Sequence, residues 1–231
     1  MPTQLLYLLR VKGINTEIRS QIEASFEQAY DADAGIGFAS VNHFDDDTVI
    51  GELIFSSVSS GKVFDAASNR LVAADQVIFQ SIQFEFDLAS GIVAVRGGGS
   101  RLRKFINTIG SIAGNKVSID PIPVDIERTV KFLRENSSAF ELTGLLIRNY
   151  KPSPDLSGRF AAKVYSFSAA KEILTTYGTD ILEFTGTLEV DEYEIKIRMA
   201  QSGALALNST EDGIRAGLDL IKEMSSEKSH A

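Results

Sequence analysis

The sequence predicts an α+β fold, in which a curved and largely antiparallel sheet carries its helices on one face. Three observations predict this class. Segments in which apolar residues alternate with polar ones, such as Ile82, Phe84 and Phe86, indicate strands with one buried face. Segments with apolar residues three and four positions apart indicate amphipathic helices. Both kinds of segment recur in the same order along the chain, which favours two pseudo-repeats of strand, helix, meander and helix.

The strand pattern occurs in nine segments. They cover residues 4–12, 48–57, 77–88, 91–96, 140–149, 159–167, 181–189, 193–200 and 203–208. The stretches 58–76 and 149–158 lack the pattern, so we expect both to interrupt the sheet. The second stretch contains Pro152 and Pro154, which cannot donate to a strand ladder, and it is predicted to be an exposed loop between two strands.

The helix pattern occurs in five segments. In the first, over residues 15–31, Ile18, Ile22 and Phe26 form one apolar stripe. Three others follow the candidate N-cap residues Ser100, Asp125 and Ser168. The fifth, near the end of the chain, has an apolar stripe of Ile214, Leu218 and Ile221. If these helices gather on one face of the sheet, the opposite face is where a partner is expected to bind.

Two stretches of the chain are similar to each other. Residues 90–109 align with residues 202–221 without a gap, and 5 of the 20 positions are identical, including Gly91/Gly203 and Arg103/Arg215. A duplication explains this similarity, but so does the general need for glycine in a tight turn before an amphipathic helix. We therefore predict a first repeat over 1–114, a connecting helix and hairpin over 115–158, and a second repeat with a frayed tail over 159–231; one continuous domain is the alternative.

Charge is distributed unevenly along the sequence. The net charge is −8, yet residues 90–171 hold 13 basic and 6 acidic residues and are flanked by acidic segments on both sides. A net negative charge argues against a protein that coats nucleic acid over its whole surface. The basic middle segment instead predicts one local contact with a polyanion.

The best candidate for that contact is a glycine-rich loop that leaves a strand and enters a basic helix. Backbone N–H groups of glycines and of a helix start can approach phosphate oxygens, and nearby cations add attraction. The predicted phosphate-binding residues are Arg96, Gly97, Gly98, Gly99, Ser100, Arg101, Arg103 and Lys104, followed by Arg128, Lys131 and Arg134 on the next helix. The alternative is structural: the glycines form a turn, Ser100 caps the helix and the cations are solvated.

Other patterns with known chemistry are incomplete. Segments 110–118 and 59–62 lack the glycine and lysine spacing of a P-loop, and no GxSxG motif is present. The chain has no cysteine and two histidines, so we expect neither a cofactor nor a metal. The acidic segments 43–47 and 189–194 are interpreted as charged turns, with a carboxylate metal site as the alternative.

Four aromatic residues have two interpretations. Phe84, Phe86, Tyr165 and Phe167 alternate with polar residues, which is typical of a core. Exposed aromatic rings on a sheet would instead stack on nucleic-acid bases. The sequence does not say which face the helices cover, so both interpretations remain open.

The sequence contains no pattern of a membrane or secreted protein. The first apolar run, Leu5–Leu9, is too short for a signal peptide, and no run of about 18 apolar residues is present. The absence of cysteine fits a reducing compartment, so we expect a cytoplasmic protein.

Three functional hypotheses follow, in order of preference. The first is a non-enzymatic nucleic-acid-associated protein that contacts phosphates through the basic middle segment and the glycine-rich loop. The second is a protein-interaction subunit whose basic segment meets an acidic protein surface. The third is an enzyme that depends on carboxylates and a metal. Convergence of the predicted cations on one face would favour the first hypothesis over the second.

Overall fold

The computed structural model describes residues 3–153 and 155–227. Within these residues the chain forms five α-helices and eleven strands of a largely antiparallel sheet, which confirms the predicted α+β class. The strands are β1 (Thr3–Lys12), β2 (Ile36–His43), β3 (Thr48–Asp65), β4 (Arg70–Asp87), β5 (Ile92–Arg96), β6 (Ser118–Pro121), β7 (Ala139–Ser153), β8 (Leu156–Lys163), β9 (Ile181–Val190), β10 (Tyr193–Ala200) and β11 (Ala204–Asn208). The helices are α1 (Thr16–Phe26), α2 (Ser100–Ile112), α3 (Ile126–Asn136), α4 (Phe167–Tyr177) and α5 (Glu211–Glu227), with a 3-10 turn at Gly178–Asp180.

These elements belong to two compact units. The first unit comprises Met1–Val11, Ile92–Gly98 and Ile119–Ala231, and the second comprises Lys12–Gly91 and Gly99–Ser118. The boundary between residues 98 and 99 lies inside the predicted glycine-rich loop. The two parts of that loop are therefore described separately below.

In the first unit, the strands follow the order β5-β1-β11-β10-β9-β7-β8, and β6 also pairs with β1. Helices α3, α4 and α5 share one buried cluster with alternate strand residues such as Phe184, Ile195 and Ile197. The intervening residues of β10, including Lys196 and Arg198, are exposed. Because alternate side chains of a strand point to opposite faces, the three helices of this unit cover one face of its strands, as predicted.

In the second unit, strands β2, β3 and β4 pair consecutively, and α1 contacts both β2 and α2. Its core is aromatic. The Phe26 ring lies 5.0 Å from Phe38 and 5.4 Å from Phe84, and Phe84 lies 5.3 Å from Phe105, measured between ring centroids. Phe105 is a residue of α2, so this helix is held to the strands of the second unit by its buried side.

Residues 58–76, which were predicted to interrupt the sheet, form the distal half of one long hairpin. β3 and β4 pair continuously from Thr48↔Asp87 to Asp65↔Arg70. The prediction was wrong because the distal strands are exposed on both faces, and burial therefore imposes no alternation on their sequence. Residues 149–158 are also mostly strand, since β7 continues to Ser153 and β8 begins at Leu156; Pro154 lies outside the described residues.

Several boundaries differ from the predicted ones. Strands β2 and β6 were not predicted, because β2 contains Gly37 and polar residues and β6 has four residues. Helix α1 ends at Phe26 rather than at residue 31, and the side chain of Asn15 caps it by accepting from the N–H of Ile18. Helix α4 begins two residues before its predicted start, with Ser166 rather than Ser168 as N-cap.

The two similar stretches have the same local structure. Strands β5 and β11 lie at the same offset as the aligned sequences, each follows a glycine with positive φ (69° at Gly91, 84° at Gly203), and each leads into a helix. Four strands separate α1 from α2, whereas three separate α4 from α5. In addition, β1 pairs with β5 and β11, while β8 pairs with β7. The duplication therefore stays a prediction. The limits predicted for the two repeats, after residues 114 and 158, stay predictions as well.

None of the helices in the described residues is both long and apolar enough to cross a membrane.

Candidate nucleic-acid interface

In the second unit, helix α2 begins without a side-chain cap. Its N-cap residue is Gly99, with φ of 57° and ψ of −110°, which has no side chain that could accept from the N–H groups of the first turn. Ser100 is the first helical residue, so its predicted role as N-cap was wrong. The first turn contains no acidic residue, and Arg101, Arg103 and Lys104 are all exposed. The start of α2 therefore combines N–H groups that no N-cap side chain accepts from with cations that oppose the helix dipole.

In the first unit, Arg96, Gly97 and Gly98 follow the end of β5. Gly97 has a φ of 110°, which L side chains rarely adopt, and its N–H donates to the carbonyl of Leu5 at 3.2 Å. A Cβ atom at Gly98 would lie 3.3 Å from the ring of Tyr7. Backbone conformation at Gly97 and packing at Gly98 are therefore sufficient to explain why glycine occupies both positions. This agrees with the alternative in which the glycines only form a turn.

A charge change at the start of α2 is expected to alter stability. Changing Arg101 to Glu should raise the free energy of unfolding by about 0.3–1 kcal/mol, because a carboxylate interacts favourably with the positive end of the helix dipole. The measurement is urea denaturation at low salt, and Arg101→Gln separates the loss of a cation from the gain of an anion. As a matched control, Ser111→Glu places the same charge at the opposite end of α2 and should lower stability slightly. A destabilising Arg101→Glu would contradict this electrostatic account.

In the first unit, helix α3 presents its predicted cations to solvent. Its exposed side carries Arg128, Lys131 and Arg134, together with Glu127 and Glu135. Lys131 lies 4.0 Å from the carboxylate of Glu135, with both side chains largely exposed, so this pair adds little to stability. The exposed side of α3 therefore brings these three cations together, but it has charges of both signs.

Arg134 extends to a second group of residues at the junction of β8 and α4. Its guanidinium carbon lies 4.1 Å from the ring centroid of Phe167, and the ammonium of Lys163 lies 5.5 Å from the ring centroid of Tyr165. The Tyr165 ring is largely solvent-accessible, because the residue is 85% exposed. We call Arg134, Lys163, Tyr165 and Phe167 the basic–aromatic cluster. Cation–π contacts of this kind hold positive charge next to flat apolar surface.

The neighbouring hairpin adds another aromatic surface. The rings of Tyr150 in β7 and Phe160 in β8 stack with centroids 4.5 Å apart, and Phe160 is 43% exposed. Arg159 next to it is also exposed. The site predicted from the sequence does not include Arg159, Phe160 or Lys163. One sequence feature could have indicated these residues, because the basic segment 90–171 continues through this hairpin.

The four aromatic residues, which the sequence left open as core or as base-stacking residues, divide into two pairs. Phe84 and Phe86 are buried in the second unit, at 2% and 0% exposure, and are core residues. Tyr165 is exposed and Phe167 is half-buried beneath Arg134. Stacking on a base is therefore open to Tyr165 and Phe167.

Each acidic segment contains a connection between two paired strands, and residues 191–192 connect β9 to β10. Residues 44–47 connect β2 to β3, where the Asp45 carboxylate accepts from the N–H groups of Asp47 and Thr48. Asp47 also binds Arg19 at 2.6 Å, and this hydrogen bond raises the pKa of Arg19. Among the described residues, no group of three His, Asp or Glu side chains is placed to hold a metal ion.

A shallow groove of about 430 Å³ lies at the outer side of α5 in the first unit. Its charged lining consists of Asp191, Asp212, Arg215, Asp219 and Glu223. With four carboxylates and one guanidinium, this groove repels a polyanion and is not a candidate for binding one.

The predicted site residues thus fall into two groups. Arg96, Gly97, Gly98 and the α3 cations belong to the first unit, whereas Gly99, Ser100 and the α2 cations belong to the second. No protein-family model matches the sequence, and no curated protein is significantly similar to it. The candidate interface therefore depends on its own geometry.

Proposed function

We propose that the protein is a non-enzymatic nucleic-acid-associated protein that contacts phosphates through its basic middle segment. The observation that carries this proposal is the basic–aromatic cluster. Cations there lie against Tyr165 and Phe167, and one of the rings is almost fully accessible. Proteins that bind single strands combine these two features, because cations contact the backbone while aromatic rings stack on bases.

Unpaired nucleic acid is the form that this cluster fits best. A base can stack on the open side of the Tyr165 ring, and Lys163 and Arg134 can then contact the adjacent phosphates. Arg128 and Lys131 continue the positive charge along α3, and the cations at the start of α2 offer a second, separate contact with phosphate. Recognition of this kind does not depend on base identity, since every base has an aromatic face.

The acidic segments on both sides limit the strength of binding. With a net charge of −8, the chain repels a polyanion except at its basic segment. We therefore expect weak affinity with a steep salt dependence. Each phosphate contact to a single strand contributes a log-log salt slope of about −0.7 through counterion release.

Removing the cluster should weaken binding to a short fluorescent single strand. The variant is Arg134→Ala, Lys163→Ala and Tyr165→Ala, and we expect an affinity loss of about ten-fold or more at roughly 50 mM salt, together with a shallower salt slope. Fluorescence anisotropy across a salt series measures both quantities. Tyr165→Phe alone should retain affinity, whereas Tyr165→Ala alone should lose it, because stacking needs the ring and not the hydroxyl group.

Two further variants test the position of the site. Arg96, Arg101, Arg103 and Lys104 changed together to Ala report on the glycine-rich loop and the start of α2. Lys196, Arg198 and Lys222 changed to Ala remove cations from the acidic C-terminal segment and serve as the control. The proposal fails if the wild type does not bind at about 50 mM salt, or if the control loses as much affinity as the other variants.

A protein-interaction subunit is the second candidate function. The exposed side of α3 carries charges of both signs, with Glu127 and Glu135 beside the cations, and such a surface can match complementary charges on another protein. A pull-down of the tagged protein from its native host, with and without nuclease, separates the two functions. Partners that persist after nuclease treatment favour the protein interaction, and partners that disappear favour nucleic acid.

A further inference from the structure

The distal half of the β3–β4 hairpin, residues 56–80, carries an unusual amount of exposed apolar surface. We call this segment the arm. Eight of the twelve exposed large hydrophobic residues in the described part of the chain belong to it: Val58, Val63, Phe64, Leu71, Val72, Val77, Ile78 and Phe79. β2 pairs with β3 only as far as Phe55, so the outer edge of β3 lacks a described partner strand along the arm.

One face of the arm has an ordered pattern. The paired residues along this face are Ser56↔Phe79, Val58↔Val77, Ser60↔Asp75, Lys62↔Ala73 and Phe64↔Leu71. Two apolar groups therefore lie at the ends, and a polar centre with one anion and one cation lies between them. We call this face the patterned face. The opposite face carries the smaller group Val63, Val72 and Ile78.

The patterned face has the size of an interaction surface. Its five large apolar residues are each between 58% and 68% exposed, so together they present roughly 500 Å² of apolar surface. The largest apolar patch on an ordinary monomer measures about 300–600 Å² and is often functional. With the polar residues of the same face included, the area approaches the roughly 800 Å² that each partner buries in a standard interface.

The pattern is complementary to itself. Consider a two-fold axis that lies in the plane between two such faces and runs perpendicular to the strands, midway between the Ser60–Asp75 and Lys62–Ala73 pairs. This axis reverses the strand direction. Such an axis places Val58 and Val77 of one copy against Phe64 and Leu71 of the other. It also brings Lys62 of one copy within reach of Asp75 of the second copy. This arrangement is that of an isologous interface, in which the same patch contacts itself.

The charge of the arm also fits a second copy of the chain. Its charged residues are Lys62, Asp65, Arg70 and Asp75, so the arm is neutral in a protein of net charge −8. Two chains of the same negative charge repel each other, and a contact through a neutral patch adds no further local repulsion. Ser60 already holds the Asp75 carboxylate by a hydrogen bond of 2.6 Å, which positions the anion for the opposing lysine.

We propose that the protein forms a homodimer in which the patterned faces of two arms pack against each other. Packing of two-stranded faces at about 10 Å, with strands inclined by roughly 30°, is the ordinary geometry of stacked sheets. The proposal is independent of nucleic-acid binding, because the arm does not include the predicted phosphate-binding residues.

The full-length chain is expected to sediment as a dimer at micromolar concentration in analytical ultracentrifugation. Phe64→Ser with Leu71→Ser removes one apolar group of the patterned face and should raise the dissociation constant at least ten-fold. Val63→Ser with Val72→Ser is the matched control, since these residues form the adjacent pair on the opposite face, and it should leave the dimer intact. Circular dichroism checks that both variants remain folded.

A mixing experiment tests the two-fold contact directly. Lys62→Glu makes the arm acidic and Asp75→Lys makes it basic, so each variant alone should dimerise more weakly than the wild type. Mixed together, the two variants should form a heterodimer, because each supplies the opposite charge to the other. The proposal is overturned if the wild type stays monomeric up to roughly 100 µM, if the matched control dissociates as readily as the test variant, or if the mixture does not associate.

Discussion

Changing Phe105 to alanine is expected to lower the free energy of unfolding by about 3–5 kcal/mol. Phe105 is fully buried, and its ring lies 5.3 Å from that of Phe84 in the aromatic core of the second unit. Its removal leaves a cavity that the surrounding rings cannot fill, because they already pack against one another. Urea denaturation followed by circular dichroism measures the loss.

The control for this variant is Asn107→Ala on the exposed side of the same helix. It changes helix composition without removing buried contacts, and we expect a change within about 0.5 kcal/mol. A small effect of Phe105→Ala would mean that α2 does not depend on this core. The cations at the start of α2 would then have no fixed position, and the proposal of a second phosphate contact would lose its basis.

Changing Gly37 to alanine is expected to destabilise the second unit by more than about 2 kcal/mol. A Cβ atom at this position would lie 2.3 Å from the Cα atom and 2.6 Å from the backbone nitrogen of Tyr30. Both are main-chain atoms, so no rotation of a side chain relieves the overlap. Thermal or urea denaturation measures the effect.

Gly61→Ala is the matched control for this substitution. A Cβ atom there meets no atom within 4 Å, and the residue lies in a strand of the arm. Because glycine costs about 0.5–1 kcal/mol relative to alanine within a strand, stability should stay the same or increase. An equal loss in both variants would show that the Gly37 contact does not decide the outcome.

The parts of the fold that were predicted from the sequence are those with one buried face. β9, β10 and β11 were placed within a residue or two, because contact with the helices forces their apolar residues into alternation. Residues 58–76 of the hairpin were missed for the opposite reason. Both faces of the hairpin are exposed there, since Val58 and Phe64 lie on one face and Val63 on the other. No core therefore imposes an alternation of apolar and polar residues on this part of the sequence.

The sequence could point to the candidate site only where its members lie close together along the chain. The run from Arg96 to Lys104 is visible as a motif, although Gly99 rather than Ser100 begins the helix. The contact between Arg134 and Phe167 joins residues on two different helices, and nothing in the sequence indicates that they meet. Tertiary proximity of this kind depends on strand order and pairing, which local patterns do not specify.

The position of β1 between β5 and β11 determines when each unit can fold during synthesis. The second unit ends at Ser118, so all of its residues are available once that point has left the ribosome. β1 can pair with β5 by then, but its other edge requires β11, which is more than eighty residues further along the chain. At about 5–20 residues per second, that edge waits for several seconds. For this interval the nascent chain presents backbone groups such as the N–H of Leu8, which donates to Gly203 in the complete fold, and an unpaired strand edge of this kind is prone to pair with another chain.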